Sequence, residues 1–283
     1  MITSIASPFQ ATVAPGMVCV ILDASFDPAL PEQLEQRMGH GLERCVPLFD
    51  TTPYVGLQSA GPFAVLCALN GTLLAYASAL LARVDAGCVF YLKHEQHLDL
   101  AVEHWRSLLT VSSEDTPARL MRFYDPRWLE PLLRSLNDVE RAQFMGPLTD
   151  MAWRNELGWR NELGWRHLSL PRPEADVHRL PPGWLHLSAE RQRLMQQRRL
   201  HLFAVRLARD YQTVLSMPEP ETFVYRQLHG ARHAGYLQLA DLERWLRLAL
   251  RQGDGFWSRV PFSELLARED LSLGDTLNAL ERL

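Results

Sequence analysis

Closely spaced histidines in this chain could bind a metal ion, because imidazole is a common metal ligand. In the segment KHEQHLDL, His97 follows His94 by three residues, whereas the zinc-binding pattern HExxH needs a histidine at position 98, which is leucine. His94, His97 and His104 still fit one face of a helix. Histidines on the solvent-exposed face of an ordinary helix can have the same spacing without binding a metal, so the sequence predicts no metal site.

Other signs of catalysis or cofactor binding are also weak. Ser59 lies in GLQSAG, which misses the nucleophile pattern GxSxG by one residue, and the sequence contains no glycine-rich phosphate loop. The four cysteines lie far apart in apolar segments, which is typical of small core residues. We therefore expect a protein that is not an enzyme and binds no cofactor or metal. A hydrolase that uses an unrecognised pair such as Asp23 and His40 stays open as an alternative.

Arginines follow one face of a long amphipathic segment, residues 189–215, for which Ser188 is a typical N-cap. Guanidinium groups bind phosphates and carboxylates alike, so this face suits nucleic acid or an acidic protein segment. The net charge of −4 makes a small nucleic-acid-binding protein the weaker hypothesis. The candidate partner-binding residues are these arginines and three aromatic side chains that we expect to be exposed: Arg191, Arg198, Arg199, Arg206, Arg209, Trp245, Phe256 and Trp257.

The elements that would position these residues differ between the two halves of the chain. In the first half, short apolar runs alternate with helical patterns, and Asp27-Pro28 and Asp125-Pro126 each place a helix cap before a proline. After the proline-rich segment LPRPEADVHRLPPG, every pattern is helical. The sequence predicts an α+β protein with a mixed α/β lobe over residues 1–170 and an all-α lobe over residues 171–283.

The hexapeptide WRNELG occurs twice without change and begins a third time in residues 153–166. A period of six scatters the tryptophans around a helix but places Trp153, Trp159 and Trp165 on one face of a strand. Gly158 and Gly164 offer turn positions, so we expect a hairpin or bent ribbon that packs this face on the core. The identity of the copies is typical of a recent duplication, and deletion of residues 159–164 is expected to preserve folding and activity.

The composition is that of a folded protein in the cytoplasm. Hydrophobic residues make up 47% and charged residues 22% of the 283 residues, which argues against disorder. The first residues lack the basic start and continuous apolar run of an export signal, and no apolar run is long enough to span a membrane. We therefore expect a cytoplasmic protein.

One segment resembles a known family more specifically than these patterns do. Residues 122–148, RFYDPRWLEPLLRSLNDVERAQFMGPL, resemble the core signature of the domain of unknown function 4123 family, the adaptor chaperones of bacterial type VI secretion systems. Residues 18–34 and 47–67 also fit the family, so the resemblance spans about residues 17–150. The residues that carry it are Asp23, Arg122, Phe123, Tyr124, Asp125, Pro126, Arg127, Gly146 and Pro147.

The resemblance implies a function that is carried out by protein contacts. Such adaptors bind a toxic effector in the cytoplasm and deliver it to the VgrG spike or a PAAR tip. For this chain it implies a non-catalytic chaperone with an effector and a spike protein as partners. Within the motif, we expect Asp125 to cap the helix that starts at Pro126, Phe123 and Tyr124 to alternate across a strand, and Arg122 or Arg127 to pair with an aspartate such as Asp23.

Overall fold

The computed structural model describes residues 2–9, 17–39, 41–69, 71–83, 86–116, 118–154, 164–171 and 180–283. The chain forms two compact units, Met1–Gln196 and Gln197–Leu283. The first contains the strands and five helices, and the second is helical. The predicted α+β class is confirmed.

A seven-stranded sheet forms the centre of the first unit, and all its neighbouring strands pair in antiparallel fashion. The strand Met17–Asp23 is apolar from Met17 to Leu22 because the sheet is covered on both faces, with Cys19 and Ile21 in one core and Val18 and Val20 in the other. The strands of this sheet are β1 (Ile2–Ile5), β2 (Met17–Asp23), β3 (Arg44–Pro47), β4 (Pro62–Cys67), β5 (Gly87–Leu92), β8 (Asp150–Arg154) and β9 (Trp165–Ser169). Across the sheet they lie in the order β1-β9-β8-β5-β2-β4-β3.

Helices cover the two faces of this sheet. Residues of α1 (Leu30–Glu35) and α2 (Thr72–Leu80) pack in the core that contains Val18. Residues of α3 (Leu98–Leu108), α4 (Pro126–Ser135) and α5 (Asp138–Met145) pack in the core that contains Cys19. Helix α1 begins two residues after Pro28, and the Asp27 side chain accepts a hydrogen bond from Ala29 N at 3.0 Å.

The duplicated segment contributes a strand at each end. Strands β8 and β9 pair as a hairpin would, but Trp153 lies opposite Arg166 and Trp165 lies opposite Arg154. Residues opposite each other share a face, so the two tryptophans point to different faces of the sheet and join different cores. The prediction of one shared tryptophan face is wrong, because the chain reverses direction between them. Trp159 lies outside the described residues.

A second, two-stranded sheet directly precedes residues 122–127 of the motif. It pairs β6 (Thr110–Val111) with β7 (Arg119–Leu120). Strand β7 ends at Leu120, and Phe123 and Tyr124 lie in a turn closed by a 3.0 Å hydrogen bond from Asp125 N to Arg122 O. Both rings are buried, which corrects the expectation that they alternate across a strand.

The division between the units differs from the predicted boundary at residues 170 and 171. Ser112 N donates to Leu185 O at 3.1 Å, and Leu187 N donates to Ser112 O at 2.8 Å, so residues 185–187 extend the small sheet of the first unit. Leu185 and Met195 are buried in a core of that unit. The division falls inside α6 (Ala189–Asp210), after Gln196.

Helices pack around aromatic side chains in the second unit. Trp245 and Phe256 are fully buried, with ring centroids 5.0 Å apart, and the partly buried Trp257 packs against Trp245 at 5.7 Å. The prediction that Trp245 and Phe256 are exposed is wrong, because both point into the core. Besides the last part of α6, the helices of this unit are α7 (Pro220–His233), α8 (Leu239–Gln252), α9 (Phe262–Leu266) and α10 (Leu273–Glu281).

Within the described residues, each helix is either too short or too polar to cross a lipid bilayer.

Candidate partner-binding site

An ion pair joins the end of β2 to the motif. The Asp23 carboxylate is buried, accepts a hydrogen bond from Ser25 N at 2.9 Å and pairs with the Arg122 guanidinium. Arg122 also lies over the rings of Phe26 and Tyr124, at 5.3 and 5.9 Å from their centroids. The prediction that Arg122 or Arg127 pairs with an aspartate such as Asp23 is confirmed, with Arg122 as the partner of Asp23. This ion pair joins residues that are 99 positions apart in the chain.

A second buried carboxylate begins the helix that follows. Asp125 accepts a hydrogen bond from Arg127 N at 3.0 Å and so caps α4, whose first residue is Pro126. The Arg127 side chain binds both oxygens of Asp125, with Nε 2.9 Å from Oδ1 and Nη2 2.7 Å from Oδ2. The predicted cap is confirmed, and the two ion pairs hold the turn of residues 122–125 in place.

The glycine of the motif is required by a close contact. Gly146 ends α5 with a φ of 58°, and a Cβ atom at this position would lie 2.5 Å from Nε2 of His104. The His104 ring is buried, and its Nε2 donates to the carbonyl oxygen of Phe144, 2.9 Å away. Burial lowers the pKa of His104, and the bond to Phe144 opposes that shift.

Pro147 lies apart from the arginines of the motif. It lines a cavity of about 350 Å³ together with His104, Arg106 and Thr110. The structure therefore divides the motif between two places within the first unit: Asp23 and residues 122–127 at one, and Gly146 and Pro147 at the other.

A groove of about 390 Å³ lies directly beside the two ion pairs. Met121 and Met195 are almost fully buried in it, Trp128 and Leu187 are partly exposed, and Leu120 is 37% exposed. Unbranched methionine side chains adapt to different partner shapes. The groove is lined by Val111, Arg119, Leu120, Met121, Arg122, Asp125, Arg127, Trp128, Leu187, Gln192, Met195 and Gln196.

Sequence reasoning missed the apolar part of this groove. The motif pointed to Arg122, Asp125 and Arg127. The apolar residues come from three other places: Met121 directly follows β7, Leu187 lies in a connecting segment, and Met195 lies in α6. No local spacing relates positions so far apart in the chain. Only the fold brings them together.

The buried ionisable groups near the motif have defined partners. Asp23 is paired with Arg122, and Asp125 is paired with Arg127. Burial raises the pKa of the Cys45 and Cys67 thiols to about 12 and keeps them protonated. Among the described residues, no three or more His, Cys, Asp or Glu side chains are grouped to hold a metal ion. His40, the proposed partner of Asp23 in a hydrolase, lies outside that part of the chain.

The arginine face of α6 divides between the units. Arg191 is partly buried and binds both carboxylate oxygens of Glu140 in α5, at 2.7 and 2.9 Å. Arg206 packs over the Phe203 ring at 4.7 Å. Arg198 and Arg209 are exposed, and Arg199 is partly buried. Arg191 thus fastens α5 to the first turns of α6, while the others remain candidate contacts.

Residues 19–143 match the family model of a domain of unknown function, DUF4123. The matched segment runs from β2 into α5 and includes Asp23, the turn of residues 122–125 and the wall of the groove formed by Val111 and residues 119–128. Comparisons with curated proteins and with solved structures gave no significant match. The resemblance inferred from the motif is thus supported by a family model over this segment, which is less than half of the chain.

Proposed function

We propose that this protein is a non-catalytic adaptor chaperone of a bacterial type VI secretion system. In this proposal it binds a secreted effector in the cytoplasm and delivers it to a VgrG or PAAR spike protein. The match of residues 19–143 to a family associated with such adaptors supports the proposal. The segment that matches also supplies the described ion pairs and one wall of the groove.

The observation that carries the proposal is the groove beside the motif. Its floor is apolar and contains two methionines, and its rim carries Arg119, Arg122 and Arg127. Arginine with apolar and aromatic neighbours is the combination that most often anchors a protein partner. The groove therefore suits a segment of another protein that has apolar and acidic side chains.

The buried ion pairs give this groove a fixed shape. Asp23 holds Arg122, and Asp125 holds Arg127 and begins α4, so the turn between them cannot move without breaking charged hydrogen bonds in a buried site. A preformed surface loses less conformational entropy when its partner binds. We infer that the motif residues act as positioning residues for the groove.

Co-expression with effector candidates encoded beside the gene for this chain tests the proposal. A tagged chain should copurify with one of them in a stable complex, and the effector should lose solubility or spike loading when the chain is absent. An effector that stays soluble and loads normally without this protein would contradict the proposal.

Two surface variants locate the binding site within that experiment. Leu187→Glu places a charge in the groove and should reduce the copurified effector at least tenfold, because an unpaired carboxylate would be buried against apolar atoms. Leu57→Glu is the matched control, since Leu57 is 55% exposed and lies outside the groove. If both variants retain the effector equally, the binding site lies outside the groove.

A further inference from the structure

We infer that the partner segment binds in extended form, as a strand added to the free edge of β7, with an acidic side chain next to Arg119. This inference rests on the proposed function and names the kind of segment that the groove accepts. It follows from the direction of main-chain hydrogen bonds in the small sheet, from the side chains on its groove face and from the charge of one arginine.

The hydrogen bonds of the small sheet show which main-chain groups point outward. Met121 N donates to Leu109 O at 2.8 Å, which makes this pair hydrogen-bonded and the next pair, Thr110 with Leu120, non-hydrogen-bonded. Thr110 O accepts from Gly183 N at 3.0 Å, on the side of β6 away from β7. The N–H and C=O of Leu120 therefore point away from β6.

These outward groups are available to a new strand. Residues 183–187 bond to β6 on its far side, so β7 is the outermost strand of the small sheet within the described chain. No described main-chain group pairs with the outward N–H or C=O of Leu120. An edge of this kind binds extended peptides through main-chain hydrogen bonds.

The side chains on the groove face of the small sheet would receive alternate residues of the added strand. Val111 and Arg119 lie opposite each other and so share a face, and Met121, two residues after Arg119, continues it. All three line the groove, whose other wall includes Leu187 and Met195. A strand beside β7 would therefore place every second side chain over an apolar floor.

Arg119 adds a preference for an acidic residue. Arg122 and Arg127 are each neutralised by an aspartate, whereas exposed Arg119 has no ion-pair or hydrogen-bond partner in the part of the chain that the structure describes. A carboxylate at the position beside Arg119 would complete a cross-strand pair of opposite charge. The favoured segment therefore has an apolar side chain at every second position, and an acidic side chain at the position beside Arg119.

Hydrogen exchange of single amides in the full-length chain tests this geometry, with the copurifying effector as the probe. In the free chain, the Met121 amide should be protected by its bond to Leu109, and the Leu120 amide should exchange quickly. In the complex, the Leu120 amide should become at least tenfold slower to exchange. A Leu120 amide that exchanges equally fast in the complex, or that is already protected in the free chain by another segment of the same protein, overturns the inference.

Variants separate the main-chain contact from the side-chain contact. Leu120→Pro removes the outward N–H without breaking a described main-chain hydrogen bond and should weaken effector binding about tenfold, whereas Leu120→Ala keeps the N–H and should weaken it less. Arg119→Glu should also weaken binding, and a second change of the facing acidic residue of the effector to arginine should restore it. Lys93→Glu, at another exposed position, is the control for charge reversal.

The outcomes distinguish this inference from the proposed function. If the effector binds with full affinity to Leu120→Pro and Arg119→Glu, the extended mode is wrong while the adaptor function stands. If no effector binds the unaltered chain, both are wrong. Thermal unfolding shows whether Leu120→Pro folds, and the exchange of the Leu120 amide in the unaltered chain decides the question without that variant.

Discussion

Single residues of the motif hold the first unit together through contacts that local sequence does not display. Gly146 permits the His104 ring to lie against the end of α5, and Asp23 receives Arg122 from a distant segment. The His104 ring and the Asp23 carboxylate are both buried. At this scale the motif has a structural role, and in the proposed function it would influence a partner only through the shape of the groove.

Gly146→Ala should destabilise the protein by about 3 kcal/mol, because the new Cβ would meet the His104 ring at a φ that L residues rarely adopt. Urea unfolding monitored by tryptophan fluorescence measures the change. Gly56→Ala is the control, since a Cβ at Gly56 meets nothing within 4 Å. Equal stability of the two variants would show that the contact with His104 is not tight.

His104 should make the protein less stable in mild acid. Its pKa is lowered by burial, so the folded state keeps the ring neutral where the unfolded state binds a proton. The stabilising contribution is complete above the unfolded pKa of about 6.5 and is lost as the pH falls towards the lower folded value, by at most about 1.4 kcal/mol per pH unit.

Unfolding measured from pH 7.5 to pH 5 tests this dependence. His104→Gln, whose amide can still donate to Phe144 O, should show a shallower loss of stability over that range than the unaltered protein. His94→Gln, at an exposed position, should keep the original slope. A slope unchanged in His104→Gln would assign the acid sensitivity to other groups.

At the scale of elements, the hairpin of β8 and β9 explains why a perfect repeat can be tolerated. The paired residues run from Asp150 with Ser169 to Arg154 with Trp165, and the duplicated letters continue into the connection between them. Arg154 also lies over the Trp165 ring, at 5.7 Å. The strands carry the packing, so the length of the connection is free to vary.

Deletion of residues 159–164 should leave a folded, soluble protein with unchanged effector binding. Residues 155–158 would remain as the connection, a length that hairpins commonly use, and both strands would be complete. Soluble yield and circular dichroism measure the result. Trp153→Ala provides the contrast, because removing this buried ring should cost about 3–5 kcal/mol. Loss of soluble protein in the deletion would show that the second copy is needed.

At the scale of the whole molecule, charge argues for a protein partner. The chain carries a net charge of −4, and its exposed arginines include Arg198 and Arg209 on α6. Binding to nucleic acid is driven largely by release of counterions and needs several cations along the phosphates. A carboxylate-rich protein segment needs fewer such contacts.

Fluorescence anisotropy with a labelled duplex DNA and a labelled RNA should therefore show no binding at physiological salt. Arg198→Glu and Arg209→Glu should leave that result unchanged, and their effect on copurification of the effector tests whether this face contributes to partner binding. Tight binding that falls steeply with salt and is lost in these variants would instead favour the nucleic-acid hypothesis.

Local sequence was sufficient for the elements whose signals lie within a few residues. Strand β5 occupies the apolar run GCVFYL, Asp125-Pro126 begins α4, and the Ser188 hydroxyl accepts a hydrogen bond from Arg191 N at 3.2 Å as α6 begins. The motif also predicted that Arg122 or Arg127 pairs with an aspartate such as Asp23, and the structure pairs Asp23 with Arg122. These features depend on periodicity, on capping chemistry and on complementary charge, all of which are visible in the letters.

Only the tertiary structure decided which faces are buried and which distant residues meet. Trp153 and Trp165 lie on different faces of the sheet because the register of the two strands, and not the spacing in the sequence, assigns faces in a hairpin. Trp245 and Phe256 are buried in a core because helices pack around them. The groove joins a small sheet, a turn and α6 for the same reason. Sequence by itself determined most of the elements and the caps of α4 and α6. Long-range packing, which local patterns do not encode, determined the surface on which the proposed function depends.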